Sequence, residues 1–154
     1  MLSDLTLTSG GQFGIYIHVP FCATRCGYCD FNTYTPGELG GATPAGWLAA
    51  LRTELALAAE TLPGRTVDTV FVGGGTPSLL GGRGLADVLD AVRDAFTLGW
   101  NAEITTEANP ESTSPEFFAQ LRTAGYTRVS LGMQSVAPGV LQILDRVHSP
   151  GRAP

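Results

Sequence analysis

The stretch FGIYIHVPFCATRCGYC, residues 13–29, holds the pattern from which the rest of the chain is read. Phe13 to Val19 alternates and is rich in aromatic and β-branched residues, which predicts a strand. Three cysteines, Cys22, Cys26 and Cys29, follow at once in a loop, and the chain has no others. A disulfide framework uses an even number spread along a sequence, so an odd cluster points to metal or redox chemistry. Three thiolates on one short loop converge on three corners of a cubane cluster. The missing fourth leaves one iron open to a small molecule with amino and carboxylate donors.

Two other readings of the cysteines stand beside this one. Structural zinc wants four ligands, which brings in His18 as the fourth. Free cysteines also serve as buried core residues or redox thiols.

Working outward, the strand-then-helix cycle repeats. Thr43 caps a helix with Pro44 at its first position and Trp47, Leu48, Leu51 and Leu55 at helical spacing, and Pro63-Gly64 stops it. A strand follows over 67–72, then a glycine loop, Gly73 to Pro77, whose backbone N–H groups form a concave nest. A helix over 83–96 turns Leu85, Val88, Leu89 and Val92 to one side. A strand over 102–107 ends at Glu107. Ser114-Pro115 opens a helix that Gly125 closes, a strand runs over 128–133, and Pro138 to Val147 is a last helix.

Four consecutive βα units predict an α/β fold with a parallel sheet and helices outside, that is, half of a TIM-like barrel. A closed barrel has eight such units and carries its active site where strands end and loops begin. The expected divisions are an extension over 1–12, a partial core over 13–149 and a truncated tail over 150–154. The alternative is a small open-sheet domain complete in itself.

Composition narrows the function. Of 154 residues, 44% are hydrophobic and 15% charged, with a net charge of -5. No basic stripe offers itself to nucleic acid. No apolar run approaches the ~18 residues of a membrane span, and no signal-peptide pattern opens the chain, so the expected setting is cytoplasmic, with peripheral membrane contact at most. Glu107 and Gln134, at the ends of the third and fourth strands, are candidates for binding ammonium, ribose or amide groups. Each also reads as an ordinary loop or capping residue. Arg146 could grip a carboxylate or simply be solvated, and His148 has no neighbours to interpret it.

As a set, these motifs resemble the radical S-adenosylmethionine (SAM) superfamily. The Cys-x3-Cys-x2-Cys spacing with Tyr28 before the last cysteine is its signature. Tyr-Ile-His-Val-Pro-Phe, Phe71-Val-Gly-Gly-Gly-Thr-Pro-Ser, Glu107-Ala-Asn-Pro-Glu, Leu131-Gly-Met-Gln-Ser and Leu144-Asp-Arg-Val-His-Ser resemble, in order, the branch with the oxygen-independent coproporphyrinogen III oxidases and their haem-chaperone relatives. The resemblance implies that Cys22, Cys26 and Cys29 hold a [4Fe-4S] cluster and that SAM chelates its open iron. Tyr16 and Tyr28 then flank the cofactor, Gly74, Gly75 and Thr76 line its methionine end, and Glu107, Gln134 and Arg146 contact it. It further implies reductive cleavage of SAM to methionine and a 5′-deoxyadenosyl radical, with an electron-donor protein as partner. No separate catalytic acid, base or nucleophile is singled out.

Within the branch, the oxidases carry a fourth cysteine two residues after the third. Here that residue is Phe31, as in the chaperones, which favours haem as ligand, and a haem-receiving protein as partner, over a porphyrinogen substrate. The branch's His-Asn-x-x-Tyr-Trp motif does not occur in this chain.

Overall fold

The computed structural model describes residues 11–38 and 40–145. Four strands form one parallel sheet in chain order, β1 (Gly14–Val19), β2 (Thr66–Gly74), β3 (Thr97–Ala108) and β4 (Arg128–Leu131). Helices α1 (Pro44–Thr61), α2 (Gly81–Ala95) and α3 (Pro115–Ala124) fill the crossovers, and α4 (Pro138–Ile143) follows β4. Short 3₁₀ turns at Pro77–Leu80 and Pro110–Ser112 lead out of β2 and β3. This is the expected α/β succession of four βα units. Among the described residues, no helix is long and apolar enough to cross a membrane.

Helix ends are set locally. The Thr43 hydroxyl accepts from the Gly46 N–H at 3.1 Å, with Pro44 at the first position. The Ser114 hydroxyl accepts from the Phe117 N–H at 3.1 Å. Gly125 ends α3 at φ 105°, where a side chain is strained, and donates its N–H to the Leu121 and Arg122 carbonyls.

Strand alternation gives the sheet two unlike faces. Ile15, Ile17 and Val19 of β1 stand beside Val70, Val72 and Gly74 of β2, and the row continues through Ile104, Thr106 and Ala108. The helices cover this face. Leu85, Val88, Leu89 and Val92 of α2 are fully buried against it, as their spacing predicts. Each such burial stabilises the fold by about 1.5–3 kcal/mol. The opposite face carries Tyr16 and His18, Phe71 and Gly73, Glu103, Thr105 and Glu107, and Arg128 and Ser130.

Several boundaries differ from the sequence reading. Gly73 and Gly74 belong to β2, paired with His18 and Val19, and are not loop. β3 begins at Thr97 because Thr97 and Leu98 pair with Thr66 and Val67. The register then jumps, so that Thr69 meets Glu103. The intervening bulge leaves Trp100 97% exposed. β4 stops at Leu131, where the chain turns through a Met133 N–H to Leu131 carbonyl bond. α2 starts at Gly81, running straight on from the 3₁₀ turn. α4 ends at Ile143 and does not continue toward Val147: Leu144 caps it and Asp145 turns to φ 51°, while Arg146, His148 and the 150–154 tail lie outside the described residues.

Tyr126 closes the core beneath α2, donating its hydroxyl to the Leu85 carbonyl at 2.8 Å. Burial pushes its phenol well above the ordinary value of 10.0. Above pH 10 the unfolded chain releases this proton while the folded chain retains it, so the folded state loses stability as pH rises. Tyr126→Phe is expected to cost about 1 kcal/mol near neutral pH and to flatten the loss of stability above pH 10. Urea unfolding at pH 7 and 10.5 measures both.

Candidate functional site: the rim of strand ends

β1 does not release the chain at Val19. The Gly75 N–H donates to the Val19 carbonyl and the Thr76 N–H to the Phe21 carbonyl, each at 2.7 Å. Phe21 then bridges Tyr34. The Cys22 N–H donates to the Tyr34 carbonyl at 3.0 Å, and the Tyr34 N–H to the Pro20 carbonyl at 2.8 Å. The segment between Cys22 and Thr33 is thus a loop whose two ends are stitched together at the sheet rim. Phe21 also packs edge-on against Trp47 of α1, with ring centroids 6.1 Å apart.

The three cysteines are free thiols, Cys22 buried and Cys26 and Cys29 half-buried. Cys22 is placed by the sheet. Cys26 and Cys29 share one turn, closed by the Cys29 N–H to Cys26 carbonyl bond at 3.0 Å. Two of the thiols have hydroxyl neighbours: Thr76 Oγ1 lies 3.8 Å from Cys22 Sγ and Thr33 Oγ1 lies 3.7 Å from Cys29 Sγ. Among the described residues, no three His, Cys, Asp or Glu side chains already stand together at ligating distance. The donor set is nonetheless one that suits an iron–sulfur cluster, being three soft thiols on one loop.

His18 is not a spare ligand. Its Nε2 lies 2.8 Å from the Asn32 carbonyl, which can only accept, so the proton sits on Nε2. Nδ1 is then an acceptor, 3.0 Å from the Tyr16 hydroxyl, which donates to it. Both ring nitrogens are engaged, so His18 would have to give up one of these partners to complete a Cys3His zinc site. Tyr16 in turn stacks on Phe71, centroids 6.1 Å apart. Desolvation first, and the Glu107 charge second, push its phenol above the ordinary value, which keeps its proton in place for His18.

The glycines serve packing instead of the expected nest of free N–H groups. The Gly74 N–H donates to Glu107 Oε2 at 3.1 Å, and those of Gly75 and Thr76 go to β1 as above. A Cβ on Gly73 would lie 2.9 Å from Glu107 Oε2. One on Gly74, at φ 111°, would lie 2.7 Å from the His18 ring. One on Gly75 would lie 2.5 Å from the Phe21 carbonyl oxygen and 3.0 Å from Cys22 Sγ. Three side chains the site needs thus pass directly over three glycines.

Of the residues singled out in the sequence, Cys22, Gly74, Gly75, Thr76 and Glu107 meet at the ends of β1, β2 and β3, with Tyr16 mid-strand on the same face as Glu107. Tyr28, half-exposed, rides on the cysteine loop with Cys26 and Cys29. Gln134 follows β4 at φ 64°, inside a turn closed by the Ser135 N–H to Met133 carbonyl bond at 2.8 Å. That left-handed backbone is costly for a residue with a side chain and marks a shaped loop. Arg146 lies outside the described residues. Phe71 enters the sequence reading only as the first residue of its motif, with no role; Asn32 and Thr33 are missed, because Asn32 acts through its backbone and Thr33 is one of many loop threonines.

Four parallel βα units with a cysteine loop stitched to the strand ends define an α/β half-barrel whose candidate site lies at the rim. The radical SAM superfamily model matches residues 16–153, and the chain belongs to that superfamily. It is 70% identical over 152 residues to the haem chaperone HemW of Mycobacterium tuberculosis, covering 99% of this chain and 39% of that protein. It is 41% identical over 140 residues to HemW of Escherichia coli, covering 90% of this chain and 36% of that one. Among solved structures it resembles the radical SAM enzyme coproporphyrinogen III oxidase, HemN, of E. coli. The TM-score there is 0.80 at 28% identity, over 90% of this chain and 31% of the other. The chain spans between 30% and 39% of the length of these and similar curated relatives. The family as a whole uses SAM and a [4Fe-4S] cluster.

Gly75→Ala is expected to push Cys22 off the rim and cost about 1–3 kcal/mol. Gly46→Ala, in α1 with only the Thr43 hydroxyl within 4 Å at 3.4 Å, is expected to stabilise by about 0.5–1 kcal/mol. Paired thermal melts check the contrast.

Proposed function

We propose that this chain is the cluster- and SAM-binding part of a haem chaperone of the radical SAM superfamily, corresponding to residues 13–149. The observation that carries the reading is the extent of its likeness to HemW: 70% identity across nearly the whole chain, with Phe31 standing where the oxidase branch has a fourth cysteine. Cys22, Cys26 and Cys29 would hold the cluster beside the SAM site, where it would supply the electron for reductive cleavage of SAM.

The chain's own residues supply position. Glu107, with one oxygen committed to Gly74, retains acceptor capacity for an ammonium or ribose hydroxyl. Gln134 and Arg146 would hold the carboxylate end, and Tyr16 and Tyr28 would flank the cofactor. Gly74, Gly75 and Thr76 would border the methionine moiety, Gly75 through its missing side chain. Phe31, 70% exposed beside the loop, offers apolar surface suited to a flat macrocycle. Haem as ligand, a reductant protein as electron source and a haem-receiving protein in a reducing cytoplasm complete the reading.

The second reading is oxidative decarboxylation of coproporphyrinogen III. The likeness to the solved oxidase favours it, and Phe31 counts against it.

Anaerobic reconstitution with iron and sulfide, followed by electron paramagnetic resonance of the reduced protein, tests the cluster. A [4Fe-4S] signal that changes on adding SAM is expected, and Cys22→Ala, Cys26→Ala or Cys29→Ala is expected to abolish it. Retained zinc and no cluster would overturn the assignment. Haem titration then separates the two functions: a saturable Soret shift without conversion of coproporphyrinogen III is expected, and appearance of protoporphyrinogen would instead establish the oxidase.

A further inference from the structure

Thr33 is a polar side chain where a cysteine loop has little reason to bury one. It is 2% exposed, while its neighbours Phe31 and Asn32 stand in solvent. Its backbone is held on both sides: its N–H donates to the Phe31 carbonyl at 2.8 Å, and Arg25 Nη2 donates to its carbonyl at 2.8 Å. Arg25 is steadied by Glu38, 3.4 Å away. Glu38 accepts in turn from the Thr35 N–H and hydroxyl at 2.6 and 2.8 Å, and these bonds, the N–H first, hold its carboxyl below the ordinary range. The clamp runs from the residue before Cys26 to the far side of the loop and holds the Thr33 backbone, whose hydroxyl lies 3.7 Å from Cys29 Sγ.

That hydroxyl has two acceptors within reach, the Phe31 carbonyl at 3.5 Å and the Cys29 sulfur. A neutral thiol is a weak acceptor, whereas a thiolate is anionic and draws a donor more strongly. We propose that Thr33 donates its hydroxyl to the Cys29 thiolate when the cluster is bound, and that it sets the cluster's reduction potential as a positioning residue held by Arg25. Donors to cluster sulfurs are a recognised control on potential. Reduction adds negative charge to the thiolates, so a donor stabilises the reduced form more than the oxidised one and raises the potential. Cys26, by contrast, has no hydroxyl partner among the described residues. The inference rests on the reading of Cys29 as a cluster ligand.

The test is a potentiometric titration of the reconstituted protein, followed by electron paramagnetic resonance, on the wild type, Thr33→Val and Thr33→Ser. Iron and sulfide content and a thermal melt are recorded for each. Thr33→Val is expected to load as the wild type does but to be harder to reduce. At fixed ambient potential its reduced-to-oxidised ratio should fall about tenfold, equivalent to 59 mV for a one-electron couple. Thr33→Ser is expected to restore the wild-type value. If Thr33→Val loads poorly, Thr33→Ala removes the hydroxyl without added bulk and takes its place. Equal potentials across loaded variants would overturn the proposal. Failure of the wild type itself to load would overturn the underlying cluster assignment instead.

Discussion

Two backbone hydrogen bonds beyond the last paired strand residues organise the site: Gly75 N–H to Val19 and Thr76 N–H to Phe21. Through them the cysteine loop is a continuation of the sheet instead of an appendage. Cys22 acquires the rigidity of β1 and β2, and the loop's return at Tyr34 is fastened to the same place. A buried backbone N–H must find a partner, so these bonds also decide what the glycine run can do. Its amides are spent on the fold, and chemistry at the rim passes to side chains.

The sheet's parity then sorts the residues. One face is a row of valines and isoleucines under α1, α2 and α3. The other carries Tyr16, His18, Phe71, Thr105 and Glu107. Shifting β1 by one residue would turn Tyr16 and His18 into the core and Ile17 out of it, so the apolar packing that stabilises the sheet also aims the polar side chains. The Tyr16–His18–Asn32 chain carries that aim from the middle of β1 into the cysteine loop.

What was legible in the sequence was mostly local. Thr43-Pro44, Ser114-Pro115 and Gly125 declare helix ends within a few residues, and α2's periodic leucines and valines declare its buried side. The cysteine spacing and the order of strand-end motifs pointed to a candidate site at the rim, where Cys22, the glycines and Glu107 come together. Non-local pairing was not legible. β3 begins at Thr97 only because Thr66 is beside it, and nothing in Thr-Leu-Gly-Trp-Asn alternates as a strand should. The glycine triplet was recognisable, but its purpose lay in Glu107, His18 and Phe21, far along the chain. The engagement of His18 hangs on a carbonyl 14 residues away, which no side-chain pattern can disclose.

The chain's two tryptophans lie in opposite circumstances. Trp100 is almost wholly in solvent on its bulge, while Trp47 packs against Phe21, the residue that precedes the first cysteine. Its indole emission therefore divides into a constant, red-shifted background and a component that senses the loop. A visible-absorbing centre assembled at the rim would quench the component beside Phe21 more strongly than the other, so the fold carries its own optical gauge of loading, readable without a label and before any chemistry is assayed.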